Sequence, residues 1–226
     1  MSQRNRVFDS SVGSKLLIGL TGLFLVLYLL IHIAGNLMIF GGQAFFNGYA
    51  GALASNPLIP LIEVVLLIGI LVHVYKTIRM FISNKAARPV AYAMKKTAGH
   101  TSRKTFASST MILSGLWLLV FLVVHVKAFK FGAHYEAPGG GADLYRVEME
   151  NFRHPLMVLF YVVSMLVVGS HLFHGASSAA QSIGLSHPRW TPKILLVGKL
   201  LAIGVAGGFI VIALWAHFTA NQLGAA

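Results

Sequence analysis

The sequence predicts an all-α integral membrane bundle of five transmembrane helices, and two observations carry that prediction. Of 226 residues, 56% are hydrophobic and only 11% are charged, against about 25% charged in an ordinary soluble domain. The apolar residues gather into near-continuous runs of the ~20 residues that a helix needs to cross a bilayer. Strand-like alternation is weak, which argues against a membrane barrel. The whole chain, 1–226, reads as one domain.

The first span is read over 14–40, after the polar, basic start MSQRNRVFDSSVGSK. Its apolar run is too long for a signal-peptide core and no small-residue cleavage pattern follows, so retention is expected. A Gly/Asn-rich, uncharged linker, GGQAFFNGYAGALASN (41–56), leads to a second span over 57–83. The next linker, 84–103, carries Lys85, Arg88, Lys95, Lys96 and Arg103. A third span follows over 104–131, then a linker with Glu136, Asp143, Glu148, Glu150 and the glycine run 139–141. The fourth span is read over 154–183, and a short turn closed by Pro188 and Pro192 leads to the fifth over 192–218.

Lys and Arg decide the orientation. The side holding the N-terminus and the second and fourth linkers carries 14 of them and the other side 4. The positive-inside rule then places the N-terminus in the cytoplasm and the C-terminus outside. The net charge of +12 is accounted for by these loops beside lipid, with no nucleic-acid partner expected. There are no cysteines, which excludes disulfides, Cys-held iron–sulfur clusters and covalently attached haem. An iron–sulfur relay, if one serves this chain, belongs to a partner.

An internal repeat points to the chemistry. Thr21–His32, TGLFLVLYLLIH, returns as Ser114–His125, SGLWLLVFLVVH: a hydroxyl residue, Gly and Leu, then eight apolar residues and a histidine. At about 1.5 Å of rise per residue, and with the helices alternating in direction, His32 and His125 fall toward the outer face. His73 and His171 fall toward the inner face, ~15 Å away. Ionisable residues inside a bilayer are rare and usually functional. One such histidine has an ordinary explanation as an interhelical hydrogen bond. Four, on four helices and in two level pairs, point to two metal centres, His32 with His125 and His73 with His171. A six-coordinate haem b takes two neutral imidazoles from opposite sides. Tetrahedral zinc would need all four at one level.

Other residues follow from the same depths. Thr21, Gly22, Ser114 and Gly115 put small side chains at the inner level, where a porphyrin needs room; ordinary small-residue packing is the competing explanation. His174, three residues after His171, stands as an alternative ligand or a propionate partner, and spacing favours His171 only slightly. Lys15, Arg79, Ser178 and Gln181 are candidate propionate contacts, with snorkelling the competing role for the charged ones. Glu63, the one acidic residue inside a span, lies near the outer level and is a candidate proton acceptor at a quinone site. Trp215 reads as an interfacial anchor, and His100, His134, His154 and His187 as solvated linker residues.

These segments resemble a known family. TGLFLVLYLLIHIAGNLMIFGG with FNGYA, PLIPLIEVVLLIGILVH, SNKAARPVAY, TFASSTMILSGLWLLVFLVVH and HPLMVLFYVVSMLVVGSHLFHGASSAAQSIG are similar to the five-helix, two-haem cytochrome b anchor of succinate dehydrogenases and fumarate reductases. The resemblance covers nearly the whole chain. It implies a multi-pass subunit of the bacterial cytoplasmic membrane, partnered with a flavoprotein and an iron–sulfur subunit. It implies two haems b ligated by His32, His73, His125 and His171, which selects His171 over His174, and a quinone, typically menaquinone. Electrons would pass from succinate through the iron–sulfur subunit to the inner haem, the outer haem and quinone, or the reverse in fumarate reduction. Dicarboxylate chemistry stays on the flavoprotein. Gly169 departs from members that place a glutamate there, which puts a compensating proton path in doubt. The alternative is a cytochrome b of another quinone-linked complex, such as a hydrogenase or formate dehydrogenase.

Overall fold

A computed structural model describes residues 10–88, 90 and 105–223. It is 83% helical with no strand among the described residues. Five helices are long and apolar enough to cross a membrane, the fold class expected from composition.

The first, α1 (Ser11–Asn36), starts where the Ser10 hydroxyl accepts the Gly13 N–H at 3.0 Å, an N-cap that satisfies one orphan donor of the first turn. It runs into a 3₁₀ turn, Leu37–Gly41. Gly42, at φ +84°, then turns the chain into α2 (Gln43–Ala54). The segment 41–56 was expected to be a linker. Its glycines and asparagine suggested loop, but Ala and aromatic residues at helical spacing bury Phe46 and Ala50.

α3 (Ile59–Ala86) buries none of its residues within the chain. The third expected span is broken. α4 (Phe106–Ser109) ends at Thr110, and α5 (Met111–Phe129) continues from there. Thr105 and Ser108 form a capping box, while the Ser109 and Thr110 hydroxyls each donate to a carbonyl four residues back at 3.0 Å. Such side-chain bonds compete with the helical ladder. The basic linker lies largely outside the described residues, including Lys95, Lys96, His100 and Arg103.

The linker 132–153 also contains a helix, α6 (Leu144–Arg153). Gly139, Gly140 and Gly141, all at positive φ, turn the chain back to bring Asp143 to the helix start. Asp143 is 2% exposed. Its carboxylate accepts from the Arg146 N–H at 3.0 Å, Gln43 at 2.7 Å and Asn47 at 2.8 Å. Asn47 in turn accepts the Tyr145 N–H at 2.9 Å. One carboxylate therefore caps α6 and fastens α2 to it.

α7 (Pro155–Ser182) and α8 (Thr191–Leu223) form the most extensive packing in the bundle. Gly169 lets the two backbones approach: a Cβ there would lie 3.2 Å from the Ala206 Cβ. Ala202, Val205, Ala206, Ala213 and Ala216 of α8 meet Met165, Val168 and Leu172 of α7 in the core. Small residues are the usual means of close helix contact in lipid. α1 lies against α7 and α8, α3 against α1, α5 against α7, and α6 across α7 and α8.

Burial alone would raise the Asp143 pKa, but bonds from Asn47, the Arg146 N–H and Gln43, with the Arg146 charge, outweigh it and hold it below the usual carboxylate value. A depressed folded pKa gives stability that is full above the unfolded pKa of ~3.9 and lost as pH falls through the folded value. Asp143→Ala is expected to cost about 1–3 kcal/mol at neutral pH. Thermal unfolding in detergent should show that loss shrinking below about pH 4.

Candidate paired-histidine site

The four spans α1, α3, α5 and α7 each contribute one half-exposed histidine to the interior: His32, His73, His125 and His171. His32 and His125 face each other with ring centroids 5.8 Å apart and planes at 87°. His73 lies within electrostatic reach of His171. The described residues hold no group of three or more His, Cys, Asp or Glu able to share one ion.

The Nδ1 contacts explain how the rings are held. Thr21 Oγ1 lies 3.1 Å from His73 Nδ1 and also donates to the Leu17 carbonyl at 2.7 Å. Ser114 Oγ lies 2.9 Å from His171 Nδ1 and donates to the Met111 carbonyl at 3.0 Å. In both cases the hydroxyl proton is committed to a carbonyl of its own helix, so the oxygen is left as acceptor. In the Nδ1–H tautomer that oxygen accepts from the ring, and Nε2 keeps its lone pair. This is the tautomer a metal-ligating imidazole needs, with its second nitrogen oriented by an outer partner. The repeated Thr-Gly and Ser-Gly elements thus serve the histidine of the neighbouring helix, eleven residues in level from their own.

The glycines complete the arrangement. A Cβ on Gly22 would lie 3.4 Å from His73 Cε1, and one on Gly115 3.7 Å from His171 Cε1. A larger side chain at either position would reach onto the ring. The donor chemistry, neutral imidazoles in pairs, is of the kind that a haem iron takes.

The other pair is held differently. His125 Nδ1 meets the Tyr161 hydroxyl at 2.9 Å. His32 stacks on Tyr28 with centroids 5.4 Å apart and lies 5.5 Å from Phe209. Its Nδ1 is 3.4 Å from the Asn36 amide, which donates to the His32 carbonyl at 2.8 Å. The same arrangement recurs at His217 and Asn221, so it is a consequence of i,i+4 spacing on a helix. Tyr161 was missed in the sequence. Its signal was its position ten residues before His171, which puts it level with His125.

The remaining candidates fall into place unevenly. His174 is half-exposed and makes no Nδ1 contact like that of His171; Ser177 donates to its carbonyl at 3.0 Å. Lys15, Arg79 and Gln181 are exposed and Ser178 is half-buried. Arg79 donates to the Tyr75 hydroxyl at 3.4 Å, and the Ser178 carbonyl accepts from Ser182 at 2.9 Å. Glu63 forms an ion pair with Lys130 of the segment after α5. Trp215 packs on Phe40 with centroids 4.9 Å apart. His217 Nδ1 donates to the Phe152 carbonyl at 2.8 Å, while His134, His154 and His187 are exposed as expected.

Side-chain ¹⁵N spectra should show His73 and His171 with the proton on Nδ1. Thr21→Val and Ser114→Ala should each disturb only the histidine that the hydroxyl touches, at about 1 kcal/mol of stability apiece. Compared with known proteins, the chain matches no protein-family model, no curated protein and no solved structure.

Proposed function

We propose that the chain is the membrane-anchoring di-haem cytochrome b subunit of a succinate:quinone oxidoreductase. In this role it relays electrons between an iron–sulfur partner and a quinone, with menaquinone the expected one. The observation that carries the reading is the pairing of four imidazoles from four spans, two of them with Nδ1 against a hydroxyl of a neighbouring helix. The sequence segments that resemble the family supply the rest: the flavoprotein and iron–sulfur partners, the bacterial cytoplasmic membrane, and the direction from the inner to the outer pair.

Bound haem would supply one-electron chemistry, and the residues around it have separable tasks. His73 and His171 would hold the inner group, with Thr21 and Ser114 fixing their rings and Gly22 and Gly115 leaving space beside them. His32 and His125 would hold the outer group. Their rings are positioned by Tyr28, Phe209 and Tyr161. Glu63 would exchange protons with a quinol there, and the quinol would have to displace or share Lys130. Lys15, Arg79, His174, Ser178 and Gln181 remain the candidates for propionate contact at the cytoplasmic end.

Replacing His32, His73, His125 and His171 in turn by Ala is expected to remove one haem per pair. A reduced-minus-oxidised spectrum of the purified complex measures it, and His174→Ala should retain both. Full haem content in all four variants would sink the reading. Co-purification of a flavoprotein and an iron–sulfur subunit, with succinate reducing the haem, separates it from the hydrogenase and formate dehydrogenase alternatives.

A further inference from the structure

Away from the paired histidines, a groove of about 260 Å³ runs between α1 and α8. It is lined by Leu30 and Ile33 of α1 and by Val197, Leu200, Leu201 and Gly204 of α8, and every residue of its lining is aliphatic or glycine. Val197 and Leu200 are exposed, so the groove opens on the side that faces lipid. Gly204 gives it depth, since a Cβ there would meet no atom within 4 Å.

Lys193 stands at the head of the same helix face. Lys193, Val197, Leu200, Leu201 and Gly204 follow the i, i+4, i+7, i+8, i+11 spacing of one helical stripe. At about 1.5 Å of rise per residue, the α8 wall of the groove begins ~6 Å from Lys193 and reaches Gly204 at ~17 Å. That is the depth of one leaflet, about half of a ~30 Å hydrocarbon core.

Lys193 and Arg189 both lie over the exposed Trp190 ring, at 4.9 Å and 5.6 Å from its centroid. The turn that carries them is fixed by its own bonds. The Thr191 hydroxyl accepts the His187 N–H at 3.1 Å, and His187 Nδ1 accepts the Arg189 N–H at 3.2 Å. A tryptophan with neighbouring cations is the usual furniture of the headgroup level. Neither cation has an acid partner among the described residues. This turn is at the end of the bundle where α1 starts, because a Cβ on Gly19 would lie 3.2 Å from the Ser182 Cβ. Of the six acidic residues, Glu63, Glu136, Asp143, Glu148 and Glu150 belong to the opposite end, where α3 begins and α5 leads to α6.

We propose that this face of α8 binds one anionic phospholipid, with its phosphate at Arg189 and Lys193 beside Trp190 and one acyl chain in the α1–α8 groove. Basic clusters at the cytoplasmic ends of membrane helices take anionic headgroups in this way. An isoprenoid tail would fill the groove and leave two cations unmatched. A zwitterionic lipid would bring its own ammonium toward them. An acidic protein surface would match the cations and leave the groove empty. An anionic lipid satisfies both ends of the stripe. The site rests on the membrane bundle and is independent of the cytochrome reading.

The test is native mass spectrometry of the purified protein with its accompanying subunits, in micelles doped with phosphatidylglycerol or phosphatidylcholine. Each basic side chain near a lipid surface is worth about fivefold in affinity, so the wild type should prefer phosphatidylglycerol roughly thirtyfold. Arg189→Gln and Lys193→Gln should each cut that preference about fivefold, and Lys193→Arg should keep it. Gly204→Phe, which fills the groove, should weaken binding of both lipids. Ile203→Phe, on the exposed side of the same helix, should weaken neither. A wild type without preference, a preference unchanged in the double Gln variant, or full binding in Gly204→Phe overturns the proposal. If the variants do not assemble, phosphatidylglycerol with a photoreactive acyl chain decides it on the wild type. The label must map to 197–205 or to Leu30 and Ile33, and unlabelled phosphatidylglycerol must displace it. A label elsewhere, or one displaced by menaquinone alone, overturns the proposal. Loss of a partner subunit from the double Gln variant with lipid binding intact assigns the cations to a protein contact and overturns it too. Haem content bears on none of these outcomes, so the cytochrome reading stands or falls separately.

Discussion

The site depends on one type of interaction, a hydrogen bond across two helices from an imidazole Nδ1 to a hydroxyl. In a bilayer core there is no water to hold a histidine ring, and an unsatisfied nitrogen costs free energy. Thr21 and Ser114 satisfy His73 and His171, and in doing so they decide which ring nitrogen faces the interior. With its proton given to the turn below, the hydroxyl is free to accept from an Nδ1–H. A serine or threonine on a helix is suited to this, since its side chain reaches its own backbone without leaving the span. Gly22 and Gly115, next in sequence, let the His73 and His171 rings pack close against the neighbouring helix.

The packing divides the bundle into a tight half and an open half. α7 and α8 approach through Gly169 and a row of alanines, with α1 and α6 against them. α3 and α5 bury no residue of their own, yet each presents one of the paired histidines. A rigid α7 can hold His171 and Tyr161 in place, while α3 and α5 bring His73 and His125 to the other helices. Gly169 has a packing role in this arrangement, because its position faces α8 at close range.

At the far end of α1, a polar cap orders the segments that composition left as loops. Asp143 starts α6 and binds Gln43 and Asn47 of α2, so that both short helices close over the core. The same helix brings Asn151 to the Ala128 carbonyl near the end of α5. The two histidine pairs meet different hydroxyls: aliphatic ones at His73 and His171, and the Tyr161 phenol at His125.

The sequence by itself determined the fold class and the five spans, to within a few residues at most ends. These follow from residue type and a rise per residue that a helix cannot change. It also showed that Thr21, Gly22, Ser114 and Gly115 belong together, because the repeat is literal. Missing were the helices α2 and α6, whose glycines and charges looked like loop, and the break at Thr110, where hydroxyls compete with the backbone. The partners of each ring were also out of reach. Only the tertiary structure decided that Thr21 serves His73, Ser114 serves His171 and Tyr161 serves His125, because hydrogen bonding depends on how helices rotate and approach. Periodicity gives a residue its height and face along one helix, and the neighbour that it meets is set by packing.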